Sequence, residues 1–438
     1  MLAVDLIIEN GMILTLDKAG SVFTNGVLVI DKGKIIDLGD QAILANYKPA
    51  QKINAHEKLV MPGLVNTHTH TGNTVYRGFA DDLSLMDWLQ KFIFPLEAKF
   101  CNKELVRISA QLSIIEMIKS GTTTFSDMYY FEQEVAHVAK AAGIRAELAE
   151  TLLDFPSPTV KTSAEGLAYT EELIKTWKGD PLIQIAVAPH APYTCNTDTL
   201  IKAKALADKY QVGFHLHLSE TENELKESMK KHGLTPVEYL DSLGLLEGNV
   251  FAVHCVHLTK NDKEIFQKRK VGVSYNAQSN MKLGSGVAPM DELMRKGILI
   301  GIGTDGAASN NTLNMFEEMD AGAKLQKVFT KDPTVFNAKT VVEMATISGA
   351  RLLGLEKSCG SLEKGKQADV ILIDLNQAHL IPFYEACSHI VYAMNGSEVD
   401  TVIVNGKILM QGRILTTIDE AAVLHEVKKL SEKIKNNF

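Results

Sequence analysis

The apolar positions of this chain fall into two textures. Residues 1–60 and 366–415 carry short apolar or alternating runs closed by tight turns, as at 6–14, 26–36, 368–374 and 399–407. Asn10-Gly11 and Asp31-Lys32-Gly33-Lys34 are hairpin signals. The two segments therefore read as halves of one small β-module. Between them, apolar runs alternate with helical stretches. They fall at 64–66, 122–126, 144–148, 183–187, 212–216, 250–253, 271–275 and 298–302, which makes eight. Strands alternating with helices imply a parallel sheet. Eight such units predict an α/β chain built on a (β/α)8 TIM-like barrel, with a small β-sandwich formed from both chain ends. The expected division is 1–60 for the first part of the sandwich, 61–362 for the barrel and 363–438 for the rest of the sandwich. A terminal amphipathic helix is expected from about 418, with Val423, Leu424, Val427, Leu430 and Ile434 as its apolar stripe.

Composition narrows the picture without changing it. At 438 residues, 45% hydrophobic and 22% charged, the chain can bury a large core. A formal net charge of −8 and no basic stripe argue against nucleic acid or an anionic membrane as partner. Five scattered cysteines with no CxxC pair argue for a reducing compartment. No apolar run reaches the roughly 18 residues of a membrane span, and the start of the chain lacks a basic stretch followed by an apolar one. A cytoplasmic protein is the expectation.

The chemistry sits where the predicted strands end, as it does in such barrels. His68 and His70 are two apart at the end of the first strand, so both imidazoles leave it on one side. Asp127, His190, His217, His254, Asn276 and Asp305 follow at the ends of others. One His-x-His is weak evidence, because most histidines are hydrogen-bonded or surface residues. The constellation is stronger and implies a metal-dependent hydrolase. His68, His70, His217 and Asp305 form the expected ligand set; three imidazoles and a carboxylate suit Zn²⁺, or less often Fe²⁺, and leave a position for water. The same ligands accept Mn²⁺. Glu220, three residues after His217, is placed to move a proton from water to a ring nitrogen of the substrate, with His254 and Asp305 holding the attacking hydroxide. His215 reads as a packed interior residue and His257 as structural. The string 301–306 matches G-x-G-x-x-G, but it follows the eighth strand of a series rather than opening a domain. Its glycines are expected to let the backbone crowd a ligand and to lead into a helix at Thr312. HExxH and the cytidine-type deaminase signature are absent.

These motifs resemble those of the amidohydrolase superfamily, and within it the 5-methylthioadenosine/S-adenosylhomocysteine deaminases. The resemblance rests on Pro62-Gly63-Leu64-Val65-Asn66-Thr67-His68-Thr69-His70, Arg77-Gly78-Phe79-Ala80-Asp81-Asp82-Leu83, Pro189-His190-Ala191-Pro192-Tyr193, Val253-His254-Cys255-Val256-His257 and Gly303-Thr304-Asp305-Gly306. It runs over essentially the whole chain. It implies one Zn²⁺ per subunit and hydrolytic deamination of methylthioadenosine, S-adenosylhomocysteine or adenosine to the inosine derivative and ammonia, by attack of metal-bound hydroxide at adenine C6. A guanine or pterin deaminase, or a triazine hydrolase, is the alternative on the same scaffold. By the same resemblance Glu97 grips ribose hydroxyls, His190 contacts substrate, Arg145 is a substrate-side arginine, and a dimer or tetramer is compatible with the family. Ala188-Pro189-His190 stands where two-metal relatives carry a modified lysine, which fits one metal. Some relatives carry a further arginine near 146–158 that this chain lacks, which places S-adenosylhomocysteine behind methylthioadenosine and adenosine.

Overall fold

A computed structural model describes residues 1–438. Its centre is a ring of parallel strands: β1 (Leu64–Thr69), β2 (Thr122–Tyr129), β3 (Arg145–Leu152), β4 (Ile183–Ile185, resumed at Ala188–Pro189), β5 (Phe214–Leu218), β6 (Val250–His254), β7 (Gly272–Tyr275) and β8 (Ile300–Ile302). β1–β4 and β5–β8 form two continuous ladders. Val187 bridges Phe214 at one seam. At the other, Asp305 N donates to His68 O at 2.9 Å, and Asn66 exchanges hydrogen bonds with Thr304. β1, β2, β3, β5, β6, β7 and β8 are buried along their whole length, as strands walled by helices outside and side chains inside must be.

The chain ends meet in one nine-stranded sheet. Lys58–Pro62 of the N-terminal part pairs antiparallel with Val370–Asp374 of the C-terminal part, with Met61 opposite Ile371. Leu6, Ile8, Leu28 and Ile30 share a core with Val370, Leu372 and Ile403, so neither half buries its apolar face without the other. The strand Tyr47–Asn54, parallel to Leu2–Leu14, was not legible in the pattern. It is mostly exposed and carries Pro49, so neither burial nor alternation marks it. The last helix, Glu420–Asn437, buries only Val423 and Ile434 of its expected stripe; Leu424 is exposed. It lies on the helix Lys103–Lys119, where Lys119 Nζ meets Glu420 at 2.8 Å. No helix is long and apolar enough to cross a membrane.

Candidate metal centre and active site

The C-terminal strand ends bring the expected ligands together. His70 Nε2 lies 3.2 Å and His68 Nε2 3.8 Å from Asp305 Oδ1, and His68 Nε2 is 3.1 Å from His217 Nε2. His68, His70 and Asp305 form one cluster of converging donor atoms, and His68, His217 and His254 form another that shares His68. A tetrahedral zinc with bonds of roughly 2.0–2.1 Å sets its ligand atoms about 3.3 Å apart, which matches this spacing. The outer ring nitrogens agree. His70 Nδ1 meets Met128 O at 2.5 Å and His217 Nδ1 meets His190 O at 2.8 Å. A carbonyl only accepts, so each Nδ1 carries a proton and each Nε2 is turned to the centre. Burial lowers His70, but the Asp305 carboxylate outweighs it and raises the imidazole to about 9, so a metal binding there would displace its Nε2 proton. The residues present fit a divalent metal.

The backbone is bent to make this possible. Ser219 (φ 53°), His254 (72°), Cys255 (54°) and Asp305 (63°) all occupy the left-handed region that side chains other than glycine avoid. Each costs on the order of 1–3 kcal/mol, which the surrounding packing sustains. The glycines of 301–306 serve the same crowding, although what crowds them corrects the expectation. A Cβ on Gly303 would lie 2.8 Å from His68 N, and one on Gly306 2.7 Å from Asn73 Nδ2. They admit β1 and the turn after it rather than a ligand. The following helix starts at Met315, not Thr312, because Asn314 caps it by accepting from Phe316 N.

Around the centre the polar groups are tightly held. Ser279 Oγ donates to Asp305 Oδ2 at 2.6 Å, and Gly306 N to Oδ1 at 2.6 Å. His254 Nε2 stands 3.6 Å from Glu220 Oε2 and 4.0 Å from Asp305 Oδ2, while its Nδ1 meets Asn280 Oδ1 at 2.9 Å. Burial raises the Glu220 carboxyl above its ordinary range; His254 pulls it back and Asp305 adds to the rise. Burial alone would raise Asp305 too, but His70, His254 and His68 outweigh it and hold it well below the carboxylate range. Burial and the neighbouring imidazoles push His68 and His217 well down, which leaves them neutral and able to ligate.

Glu97 lies on the helix Phe94–Phe100, on the wall of an open cleft, together with His190, Glu220, His254 and Asp305. Tyr129 Oη donates to Glu97 Oε1 at 2.7 Å. Burial raises Glu97 to about 7 against that bond, and burial lowers His190 to about 3. His215 is fully buried and stacks on Phe251, ring centroids 4.7 Å apart, and His257 Nε2 meets Ser285 O at 2.7 Å.

Arg145 is a correction. It opens β3 at the opposite end of the barrel, where Nε and Nη2 grip Asp369 at 2.8 and 3.1 Å and Nη1 donates to Pro181 O at 2.6 Å. It ties barrel to sheet and cannot face a substrate in the cleft. Its place at the start of an apolar run, not the end, was the available signal. Glu224 and Asp127 were missed as supports. Glu224 accepts from Ser219 N (2.9 Å) and Glu220 N (2.8 Å), which fixes the turn that presents Glu220. Asp127 accepts from Thr69 Oγ1 (2.8 Å) and Thr71 N (2.7 Å), on either side of His70. For Glu224 no local pattern distinguishes it from the other acids of its helix; for Asp127 the strand-end position did.

Fold and centre together define a barrel hydrolase with a metal site at its C-terminal mouth. Comparison with known proteins agrees. The amidohydrolase family pattern matches residues 59–409. The 5-methylthioadenosine/S-adenosylhomocysteine deaminase 1 of Syntrophus aciditrophicus (strain SB) is 47% identical over 436 residues, covering 99% of this chain and 98% of that protein. The 5'-deoxyadenosine deaminase of Methanosarcina barkeri is 41% identical over 432 residues, 98% of each. A zinc-bound crystal structure of an adenosine deaminase from Xanthomonas campestris superposes with a TM-score of 0.97 at 36% identity, covering 99% of each chain. The chain belongs to the amidohydrolase family, among the relatives named 5-methylthioadenosine/S-adenosylhomocysteine deaminases.

Proposed function

We propose that this protein hydrolytically deaminates an adenosine, 5'-substituted or plain, to the corresponding inosine and ammonia, with one zinc ion per subunit. The observation that carries the reading is one cleft holding Glu220 beside the imidazole–carboxylate cluster and a second buried acid, Glu97, braced by Tyr129. The names of the similar deaminases support the substrate class. His68, His70, His217 and Asp305 would hold the metal, which when bound would acidify a water toward neutrality.

The protein's own groups do the rest. Glu220, its carboxyl raised by burial, takes a proton from the attacking water and delivers it to N1 of the purine. The water oxygen bonds to C6; its second proton then passes through Glu220 to the exocyclic nitrogen, the C6–N bond breaks as the C6 carbonyl forms, and ammonia leaves while the N1 proton stays on the inosine. His254, oriented by Asn280, and Asp305, held by Ser279 and Gly306 N, fix the water's direction of approach. Glu97 accepts from the ribose hydroxyls, and His190, kept neutral, contacts the bound nucleoside. The residues divide between a catalytic barrel at 61–362 and a supporting module of 1–60 with 363–438.

Ammonia release from zinc-loaded protein, offered methylthioadenosine, S-adenosylhomocysteine, adenosine, guanine and a chlorotriazine side by side, tests this. Turnover of the adenosines above the others is the expected result. Release from guanine or the triazine alone would replace the nucleoside with a ribose-free ring.

A further inference from the structure

The cleft has a polar depth and an aromatic mouth, and the two ends differ in charge. Its lining holds three carboxylates, Glu97, Glu220 and Asp305, and no lysine or arginine. Phe94 stands three residues before Glu97 on the helix Phe94–Phe100, one turn toward the opening, so the two side chains share a face. Glu97 is buried and Phe94 half-buried, which sets the outward direction. Phe155, in the loop after β3, packs edge-on against Phe94 with ring centroids 5.8 Å apart and is 39% exposed. Phe155 lies beside the lining rather than in it; besides Phe94, the apolar lining includes Leu85, Trp88, Leu89 and Ile93.

We infer that this cleft selects adenosines whose 5' substituent is uncharged and apolar, and discriminates against those whose substituent ends in an amino-acid zwitterion. The inference rests on the nucleoside reading above. With the purine at the metal cluster and the ribose at Glu97, the 5' carbon points to the mouth and its substituent meets Phe94, with Phe155 packed beside that ring. A methyl, methylthio or similar group there gains apolar contact. A tail carboxylate would shed water against these rings, in a cleft whose lining offers no lysine or arginine to receive it. The neighbouring groove, which shares Leu85 and Tyr193 with the cleft, does carry Lys231 and His232, and is the one rival destination for such a tail.

The test compares kcat/KM of the zinc-loaded enzyme for methylthioadenosine, S-adenosylhomocysteine and decarboxylated S-adenosylhomocysteine. Methylthioadenosine is expected to exceed S-adenosylhomocysteine by about tenfold or more, the order expected when a buried polar group is left unpaired. The decarboxylated compound, which keeps the length and a charged ammonium but loses the carboxylate, should fall between the two. Phe155→Arg, at a partly exposed position, should raise the S-adenosylhomocysteine to methylthioadenosine ratio by lowering KM for the former. Equal kcat/KM for methylthioadenosine and S-adenosylhomocysteine would overturn the inference. So would a selective loss of S-adenosylhomocysteine turnover in Lys231→Ala, which would seat the tail in the neighbouring groove. No ammonia from any adenosine would instead remove the nucleoside reading, and this inference with it.

Discussion

The two ends of the barrel handle buried charge in opposite ways. At the N-terminal end, Arg145 and Asp369 are nearly inaccessible, yet the guanidinium makes two bonds to the carboxylate and one to Pro181 O, and Asp369 Oδ1 also accepts from Asn405 N at 2.7 Å. Each charge is spent on a partner that never leaves. At the C-terminal end, Glu97 and Glu220 are equally buried, but burial lifts both carboxyls, and the imidazoles converge on a common centre instead of pairing off. The left-handed residues Ser219, His254, Cys255 and Asp305 belong to this end as well. One end is satisfied and holds two modules together. The other is left with unspent hydrogen-bonding and ligating capacity, which is what a reaction centre requires.

Substitutions that interchange these behaviours would break the contrast. The largest expected effect is at Glu220. Glu220→Gln keeps the shape and should keep metal, read by elemental analysis, while kcat falls by about 10²–10⁴, the usual worth of a positioned acid–base. Near-normal turnover in that variant would take Glu220 out of the mechanism. Arg145→Met should do the reverse. Asp369 is left buried without its guanidinium, a loss of about 3–5 kcal/mol in denaturant unfolding, while kcat of the protein that remains folded is little changed. A collapse of kcat/KM at unchanged stability would return Arg145 to the substrate.

Glu97→Ala sharpens the contrast within the cleft. Two hydrogen bonds from ribose to a carboxylate are lost, so kcat/KM for nucleosides should fall by about 10- to 100-fold, with free bases affected much less. Equal losses on both would contradict the grip on ribose. The smallest effect is one of pH. Burial raises Glu97 to about 7, so it is largely protonated below that pH and becomes a full acceptor above it. The preference for adenosine over free adenine should therefore rise from pH 6 to pH 8, and Glu97→Gln should flatten that rise. The same shift carries a stability sign. A carboxyl bound to its proton more tightly when folded than when unfolded costs nothing below its ordinary range near 4.5. It then destabilises increasingly as pH climbs toward 7, so Glu97→Gln should lessen the fall in stability across that window.

Much of the architecture was written locally. Eight apolar runs separated by helical stretches determine the parallel barrel, because a strand buried on both faces must be apolar along its length. The same runs place His68, His70, His217 and Asp305 at strand ends, and strand ends are where a barrel gathers its chemistry. The hairpin turns at both chain ends, with runs of like texture, determine the small sheet they share. What the pattern lacked was anything that depends on a partner far along the chain. Arg145 looks the same whether it faces a substrate or Asp369, 224 positions away; only the close approach of the sheet to the barrel floor decides. Glu224 is one of several acids on its helix until the chain turns at Ser219 and hands it two amides. The exposed strand Tyr47–Asn54 has no burial pattern of its own and exists because Leu2–Leu14 offers it a ladder. Local sequence sets which residues are apolar, polar or ligating. Which polar group meets which is set by burial, since the cost of leaving a buried group unpaired is settled only when the distant partner arrives.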